Sequence, residues 1–422
     1  MYKAVLISLT ALLLSNHNGY AYNANDTLQI TLPAAEKIFL EKNLALISEQ
    51  FNININRAYV QQARYWDNPV LNTDQNIYDG KFFRHTNEYG QVFIQIQQLI
   101  KTAGKRNKLI LLAKDGVLSA EQQFKDLMRN LQYLLRTDFY SLHQMLETNK
   151  IYDNELQSLQ KLVSGMDAQL RSGNISLKEN IRIKSLLYTL QTDQAGTQRQ
   201  IEDLQKDIHV LLQIPSDTTV VPDLTPMVSR DQQDLSLNQL LDSAFANRPD
   251  LQLAQTNIIT QKHNLSYQKA LAVPDPTVGV EYDQRSTYVP NYYGLAISLP
   301  IPILNNNKGN IKAAAFGIDQ AQINAQQSRT QSEQEVVAAY KKWMIGHDLQ
   351  KKQPPELTSD YDQLLQKVVS SYEQRQVGLL EFIDFFDAYK ESKLKLLQEE
   401  TDLRNAAAEI NFTTGTNIIN SQ

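Results

Sequence analysis

The chain has 422 residues, of which 42% are hydrophobic and 21% are charged, so it is not a disordered polymer. Its 41 basic and 46 acidic residues nearly balance and the basic ones form no cluster, which argues against a nucleic-acid partner. Cysteine is absent. The chain therefore cannot form disulfides, bind metal through thiolates or carry a lipid on an N-terminal cysteine.

Residues 1–21 have the pattern of a secretory signal peptide. Lys3 supplies the charge, Ala4 to Leu14 form the apolar region, and Gly19-Tyr20-Ala21 offers small residues for cleavage. The alternative is a membrane anchor, but the apolar run is far shorter than the ~20 residues that a spanning helix needs. Nothing downstream resembles an apolar 18-residue segment, so any membrane span must consist of strands.

The rest of the chain divides into two similar halves, 22–234 and 235–422. Each half opens with a helical stretch that ends at an X-Pro pair, followed by two alternating runs and roughly a hundred residues of helix. The matching boundaries are Ile30 to Pro33 and Asn68-Pro69 in the first half, and Leu235 to Asn238 and Asp275-Pro276 in the second. Such self-similarity predicts one supersecondary unit used twice around a symmetry axis.

The alternating runs predict two strand hairpins, 70–99 and 277–303, each with one apolar and one polar face. Period-two alternation is what a barrel wall between lipid and water requires. Four strands cannot close a barrel, so other chains must complete it, and three copies would give a 12-strand trimeric barrel. The alternative is a pair of soluble hairpins packed on helices. The residues predicted to face lipid are Val92, Ile94, Ile96, Val278, Val280, Tyr282, Leu295, Ile297 and Leu299.

Apolar residues spaced three and four apart predict that most of the remainder forms long antiparallel coiled-coil helices. In the first half, helix is expected from Gly104 to Ser172 with a break near Asn149, and a tip near 173 follows. The chain returns through Leu177 to Gln213, and a linker at 214–234 lies at mid-height. It then resumes from Ser236, which has Gln239 three residues later as in a capping box.

The second half repeats this plan, from Asn310 to Gln376 with an interruption at Pro354-Pro355 and a tip near 378. Leu379 to Thr414 then rises part-way, and the N-terminal helix near Pro33 to Asp67 is expected to complete that limb. Each limb of about 70 residues is roughly 100 Å long. The predicted fold is therefore mainly α with a small β part, a strand barrel continued as a helical tube.

The tip segments are the most specific part of the sequence: one runs from Tyr372 to Ala388 (YEQRQVGLLEFIDFFDA), and its first-half counterpart runs from Leu170 to Glu179 (LRSGNISLKE). With these segments, the sequence resembles the TolC family of outer-membrane efflux channels over nearly the whole mature chain. The resemblance implies a homotrimer in the outer membrane with a helical tube in the periplasm. It also implies that the helix tips meet a periplasmic membrane-fusion adaptor, which connects to an inner-membrane pump of the RND type.

The resemblance also suggests functional positions at the tips. Some members place two aspartates six and nine positions after the second tip glycine, which here are Asp384 and Asp387, with Glu179 as a weaker first-half counterpart. In a trimer these carboxylates would form acidic rings at a periplasmic constriction, although two solvated acids on a helix face are the alternative. Glycine suits a tight turn because it tolerates positive φ. The residues expected to contact the adaptor are Arg171, Gly173, Gln376, Val377 and Gly378.

The sequence offers no site for chemistry. Its six histidines are scattered without a ligand-like pair, and no phosphate-binding loop or nucleophile elbow occurs. We therefore expect no enzyme activity, cofactor or bound metal, and we expect energy for transport to come from a partner. A hydrolase on a helical scaffold has no supporting constellation.

The function that the resemblance implies is passive conduction of substrates delivered by the pump. The exported substrate stays open, because the LLEFID stretch is closest to members paired with cobalt-zinc-cadmium pumps, while drug-exporting relatives also carry acidic rings. The main alternative is a periplasmic coiled-coil scaffold without channel activity. Membrane fractionation separates the two.

Overall fold

The computed structural model describes residues 27–78, 80–86, 89–224, 235–353 and 361–419. The expected signal peptide and the Pro354-Pro355 interruption lie outside these residues. The strands are β1 Thr27–Thr31, β2 Val70–Gln75, β3 Val92–Leu99, β4 Thr219–Asp223, β5 Thr277–Asp283 and β6 Tyr292–Ser298. The helices are α1 Leu32–Lys42, α2 Leu44–Ala63, α3 Lys105–Arg171, α4 Leu177–Leu212, α5 Leu237–Asn247, α6 Pro249–Leu271, α7 Lys308–Lys351, α8 Tyr361–Glu373 and α9 Leu379–Thr414.

Four of the strands form one antiparallel sheet in the order β2-β3-β5-β6. Both predicted hairpins are therefore present, and β3 joins them by pairing with β5. A second, parallel pair of β1 and β4 was not predicted from the sequence. The β4 segment contains Pro222, which cannot donate a ladder hydrogen bond, and the sequence therefore reads as a loop.

Long helices make up most of the described chain. Helix α3 has 67 residues, which at 1.5 Å per residue is about 100 Å, and it runs without interruption through Asn149. The predicted break there is wrong: Asn149 is half-buried within the helix, and its side-chain amide donates to Asp153 one turn along. None of the helices in the described ranges is long and apolar enough to cross a membrane.

The buried side chains form three clusters along the helices. One surrounds the middle of α3, with Phe39, Leu135 and Phe139 fully buried. A second lies near the helix tips, where α3, α4 and α9 meet. The third joins α5, α7 and α9. Apolar burial is thus concentrated at mid-height and toward the tips.

Each half contains the same helix break at the same place. Asn43 separates α1 from α2 with φ −62° and ψ 119°, and Arg248 separates α5 from α6 with φ −66° and ψ 122°. Neither break was predicted from the sequence. Asn43 accepts from the backbone N–H groups of Ala45 and Leu46 and so caps α2. Pro249 holds the same geometry in the second half, because a proline disfavours helical backbone at the residue before it.

The two break residues also show which short helices stack end to end. Asn43 Nδ2 donates to the carbonyl of Leu211 at the end of α4, and an Arg248 Nη atom donates to the carbonyl of Thr413 at the end of α9. Helix α4 is therefore continued by α2, and α9 by α6. The predicted exchange, in which the N-terminal helix completes the α9 limb, is wrong because each half closes its own limb.

The capping box predicted at Ser236 is also wrong. Ser236 is the N-cap of α5, but its side chain makes no capping hydrogen bond. The capping box lies instead at Ser176, whose hydroxyl accepts from the Glu179 backbone while the Glu179 carboxylate accepts from the Ser176 backbone.

Candidate functional site

The four-stranded sheet has one apolar face that is open to its surroundings. Strand register places the predicted lipid-facing residues on this one face, since Ile96, Val280 and Leu295 are directly opposite one another in adjacent strands. Val280 is 61% exposed and Leu295 67%. Leu299 lies one residue beyond the end of β6 and is also exposed. A sheet with large aliphatic side chains exposed on one whole face needs an apolar environment.

The opposite face is polar and internally hydrogen-bonded. Asn72 donates to Gln95 at 3.1 Å, and Gln95 donates to Glu281 at 2.8 Å, so three strands are joined by one row of side chains. Gln91 donates to Asp283 at 2.6 Å in a neighbouring row. One face therefore suits lipid and the other suits water.

Both outer strands of the sheet, β2 and β6, have a free edge in the described chain. In hydrocarbon, each unpaired backbone group at such an edge would cost several kcal/mol. The neighbouring helix α2 is likewise uncovered on one side. Its exposed apolar residues follow a helical spacing: Leu44, Ile47, Phe51, Ile55 and Tyr59.

The helix tips are built by the same turn in both halves. Gly173 N–H donates to Leu170 and Asn174 N–H to Gln169, a Schellman ending with Gly173 at φ +76°. Arg375 N–H donates to Tyr372 and Gln376 N–H to Ser371, with Arg375 at φ +61°.

The predicted role of glycine at the tips therefore holds in one half only. Gly173 occupies the left-handed position, as expected. Gly378 has φ −77° and is the N-cap of α9, so the expectation of positive φ there is wrong, and Arg375 occupies that position. Ser176 is the structural counterpart of Gly378, because each is the N-cap of the helix that follows its turn.

A cavity of about 500 Å³ lies between the two tips. Four of the residues singled out from the sequence line it, namely Glu179, Gln376, Val377 and Gly378. Arg171 and Gly173 are exposed at the first turn but are not among its lining residues. Tyr372 and Met166 form part of the wall between the tips.

The predicted acidic residues occupy two different places. Asp384 and Asp387 are exposed on α9, and Asp387 lies 3.8 Å from Lys390. Glu179 caps its own helix, and counted from the N-caps its counterpart is Glu381 rather than either aspartate. The spacing that linked Glu179 to the aspartates took Gly173 and Gly378 as equivalent, which they are not.

A buried carboxyl that was not predicted from the sequence lies near Asp387 and Lys390. Glu155 on α3 is 1% exposed, and its two carboxylate oxygens have no hydrogen-bond partner among the described residues. Burial, with the charge of Asp387 adding to it and that of Lys390 opposing it, raises the pKa of Glu155 to about 8. The signal was present in the sequence, because Glu155 lies on a three-four spacing with Tyr152, Leu159 and Leu162.

No protein-family model matches the chain. The pyoverdine export outer membrane protein OpmQ of Pseudomonas putida is 26% identical over 179 residues, which cover 40% of this chain and 36% of that protein. The chain thus matches only about a third of the length of this curated relative.

Solved structures match over almost the whole chain. CusC, whose structures concern transmembrane channel formation, superposes with a TM-score of 0.72 at 16% identity, covering 94% of this chain and 96% of its own. The outer membrane channel CmeC of Campylobacter jejuni gives 0.71 at 12% identity, covering 92% and 87%. The open state of the MtrE outer membrane channel of Neisseria gonorrhoeae gives 0.68 at 14% identity, covering 92% and 89%.

The chain has the fold of these outer-membrane channels. The resemblance stated from the sequence is thus confirmed at the level of fold, as is the mainly helical class with a small sheet. Among the described residues of this channel fold, no three His, Asp or Glu side chains converge as a metal site.

Proposed function

We propose that this chain is an outer-membrane channel that passively conducts substrates exported by an inner-membrane pump through a periplasmic adaptor. The observation that supports it most is the sheet, with a bare apolar face, a hydrogen-bonded polar face and two free edges. Only a closed ring of strands satisfies those edges in lipid. Three copies would supply twelve strands, an even number in the range of outer-membrane barrels.

The proposed assembly places the helices as a tube in the periplasm. The two halves, 22–234 and 235–422, would then alternate around the ring, which the matched helix breaks and matched tip turns support. The tip residues Arg171, Gly173, Gln376, Val377 and Gly378 would contact the adaptor. Asp384 and Asp387 would form acidic rings near the tip, with Glu179 at its rim.

The proposed substrates are cations. The acidic residues near the tip favour cations, among them heavy metals, over neutral drugs. OpmQ is named for the export of pyoverdine, which is a property of that protein.

Membrane fractionation and bilayer recording test the proposal. We expect the chain to pellet with the outer membrane after carbonate washing, to run as a trimer in mild detergent and to conduct in planar bilayers. Release into the soluble fraction as a monomer without conductance would favour the periplasmic scaffold instead. Survival of a deletion strain on zinc, cobalt, copper and a drug panel would then identify the substrate class.

A further inference from the structure

The junction between the sheet and the helices is closed inside the chain by a buried lysine. Lys105, at the start of α3, has a side chain only 5% exposed and lies 2.6 Å from the carboxylate of Asp275. Its ammonium also donates to the Val273 carbonyl at 2.5 Å. Thr102 donates its N–H and its hydroxyl to Asp275 as well. These contacts join the link between β3 and α3 to the link between α6 and β5, and we call them the in-chain clasp.

The second half has an equivalent link, between β6 and α7, whose lysine makes no ion pair among the described residues. Helix α7 starts at Lys308 directly after Asn307, which has φ 59° and ψ 16°, just as α3 starts at Lys105 after Gly104, with φ 67° and ψ 22°. Lys308 is the counterpart of Lys105 at the helix start, yet it is exposed and no ion pair to it occurs among the described residues. The link before it is apolar and bare: Ile301 is 73% exposed, Ile303 78% and Leu304 100%.

The first half has an equivalent of the clasped segment, whose contacts come from its own half: Arg106 lies over the Trp66 ring at 4.3 Å, and Lys101 pairs with Asp67 at 3.0 Å. The link between α2 and β2, from Trp66 to Pro69, ends in Asn68-Pro69 where the clasped link ends in Asp275-Pro276. Trp66 is 63% exposed, and the edge strand β2 begins directly after this link. Two complementary half-sites therefore lie at opposite edges of one chain.

We infer that the boundary between neighbouring copies of this chain repeats the in-chain boundary, with Lys308 of one copy closing on the Trp66–Asn68 segment of the next. This inference rests on the proposed trimeric channel. In the proposed clasp the Lys308 ammonium donates to the Trp66 carbonyl and to the Asn68 side chain, as Lys105 does to Val273 and Asp275. The bare residues Ile301, Ile303 and Leu304 are covered by the same contact.

The same correspondence fixes the strand register at the boundary. Within the chain, Gln97 is opposite Gly279 where β3 meets β5. Val70 and Thr277 each follow the proline of their X-Pro pair, so they are equivalent, and, two residues on, Asn72 is equivalent to Gly279. Gln97 is opposite Val70 and Ser298 is opposite Thr277, so Ser298 is equivalent to Gln97. Ser298 of β6 should therefore be opposite Asn72 of the next copy. Both residues lie on the polar face, which is consistent with this pairing.

Cysteine cross-linking in the full-length protein tests the register, since the natural chain has no cysteine. The pair Asn72→Cys and Ser298→Cys should give covalent dimers and trimers on a non-reducing gel after mild oxidation. The pair Asp74→Cys and Ser298→Cys is the matched control, because a shift of two residues on the same face places Cα atoms about 7–8 Å apart, beyond disulfide reach. Stronger cross-linking of the control pair would overturn the register.

Subunit exchange between differently tagged trimers in detergent tests the clasp. Lys308→Met should accelerate exchange by about tenfold or more, because it removes both charge-assisted hydrogen bonds of the clasp at each boundary. Lys312→Met, an exposed lysine one turn along the same helix, should leave the rate unchanged. Asn68→Asp should slow exchange, because it gives the boundary a carboxylate equivalent to that of Asp275 in the in-chain clasp. The same substitution should have no effect when Lys308 is replaced by Met.

The outcomes separate this inference from the function it rests on. If the Asn72–Ser298 pair cross-links and Lys308→Met exchanges no faster than Lys312→Met, the clasp is wrong and the channel stands. If Ile303→Gln weakens membrane retention without changing exchange, the apolar link inserts into lipid and the clasp is again wrong. If the natural chain forms no trimer at all, the proposed function itself fails.

Discussion

At the scale of single residues, Glu155 is an acidic side chain buried among apolar ones. A carboxylate without hydrogen-bond partners inside an apolar seam is costly, so the neutral acid is favoured and the pKa rises to about 8. Lys390 is close enough to oppose that shift through its charge, yet it also lies 3.7 Å from Asp193 and 3.8 Å from Asp387. One lysine is thus shared among three acids.

The raised pKa of Glu155 predicts a pH-dependent stability of the helix bundle near the tips. The folded state holds the proton more tightly than the unfolded state, so this contribution is fully present below the unfolded pKa of about 4.5 and is lost as pH rises through about 8. We expect the melting temperature of the helices, followed by circular dichroism, to fall between pH 5 and pH 9. Glu155→Gln should flatten that dependence by the equivalent of a few kcal/mol.

Glu147→Gln is the matched control for this measurement. Glu147 lies on the same helix and pairs with Lys150 at 2.7 Å, where the lysine side chain is 67% exposed. Neutralising such a surface pair should change stability by less than about 1 kcal/mol and leave the pH profile intact. Equal pH profiles for the natural chain and Glu155→Gln would exclude Glu155 as the titrating group.

At the scale of elements, the two helix breaks solve one problem in different ways. Asn43 caps a helix with a neutral amide, whereas Arg248 uses a buried guanidinium that pairs with Asp250 at 2.6 Å and Glu335 at 2.8 Å. Burial alone would raise the pKa of Asp250, but hydrogen bonds and charge from Arg248 hold that pKa below its usual value. The second break therefore depends on paired charges and the first does not.

This difference predicts unequal effects of truncation. Asn43→Ala should cost about 1–2 kcal/mol, the loss of an N-cap and of one bond to the end of α4. Arg248→Met should cost roughly 3–5 kcal/mol, because it removes the cation of Glu335 and leaves Asp250 only the more distant Arg129, 3.7 Å away. Chemical denaturation of the detergent-solubilised protein measures both. A larger loss for Asn43→Ala than for Arg248→Met would contradict this view of the breaks.

The tip turns offer a second test at this scale. Arg375 has φ +61°, a backbone conformation that glycine adopts without strain, so Arg375→Gly should stabilise the second tip by up to ~1 kcal/mol. Gly173→Ala should destabilise the first tip by a similar amount through φ alone, since no atom lies within 4 Å of the added methyl position. Hydrogen exchange of the amides at 173–174 and 375–376 reports each tip separately. Opposite signs for the two variants are the expected result.

Much of this architecture could be predicted from the sequence because its patterns are local and periodic. The period-two runs placed both hairpins, and the three-four spacing placed α9 at Leu379–Thr414, the bounds that the structure has. The break at Asn43 could not be predicted because asparagine alone does not break a helix and its geometry depends on a contact with α4. The break at Arg248 does have a local signal, Pro249, because a residue before proline seldom stays helical. The candidate lipid-facing residues share one face as their alternation implied. Glu155 was not predicted to be buried because an acid on a helix usually lies on a solvated face.

At the scale of the whole molecule, the two halves share their backbone plan but differ in their side chains. The hairpins, the mid-height breaks and the tip turns occur twice in each chain, while side chains at matching positions differ, as Gly173 and Arg375 do. A ring of three chains would therefore alternate two kinds of tip. Asymmetry between the two halves, rather than the fold itself, is where a partner could distinguish them.

The polar face of the sheet makes a final prediction about permeation. The four strands contain Asp74, Glu281 and Asp283 and no lysine or arginine, and strand pairing places all three acids on the polar face. In the proposed trimer this face lines the pore, so the barrel would carry a fixed negative charge that attracts cations. Reversal potentials in a salt gradient should therefore show selectivity for potassium over chloride.

Substitution on the two faces of the sheet isolates the cause of that selectivity. Glu281→Gln combined with Asp74→Asn should reduce the reversal potential toward zero, and the loss should be larger at low ionic strength, where screening is weaker. Val280→Thr on the apolar face is the matched control and should leave selectivity unchanged, because its side chain is on the side away from the pore. Selectivity that survives the double substitution would place the filter elsewhere, with the aspartates of α9 at the tip as the next group to neutralise.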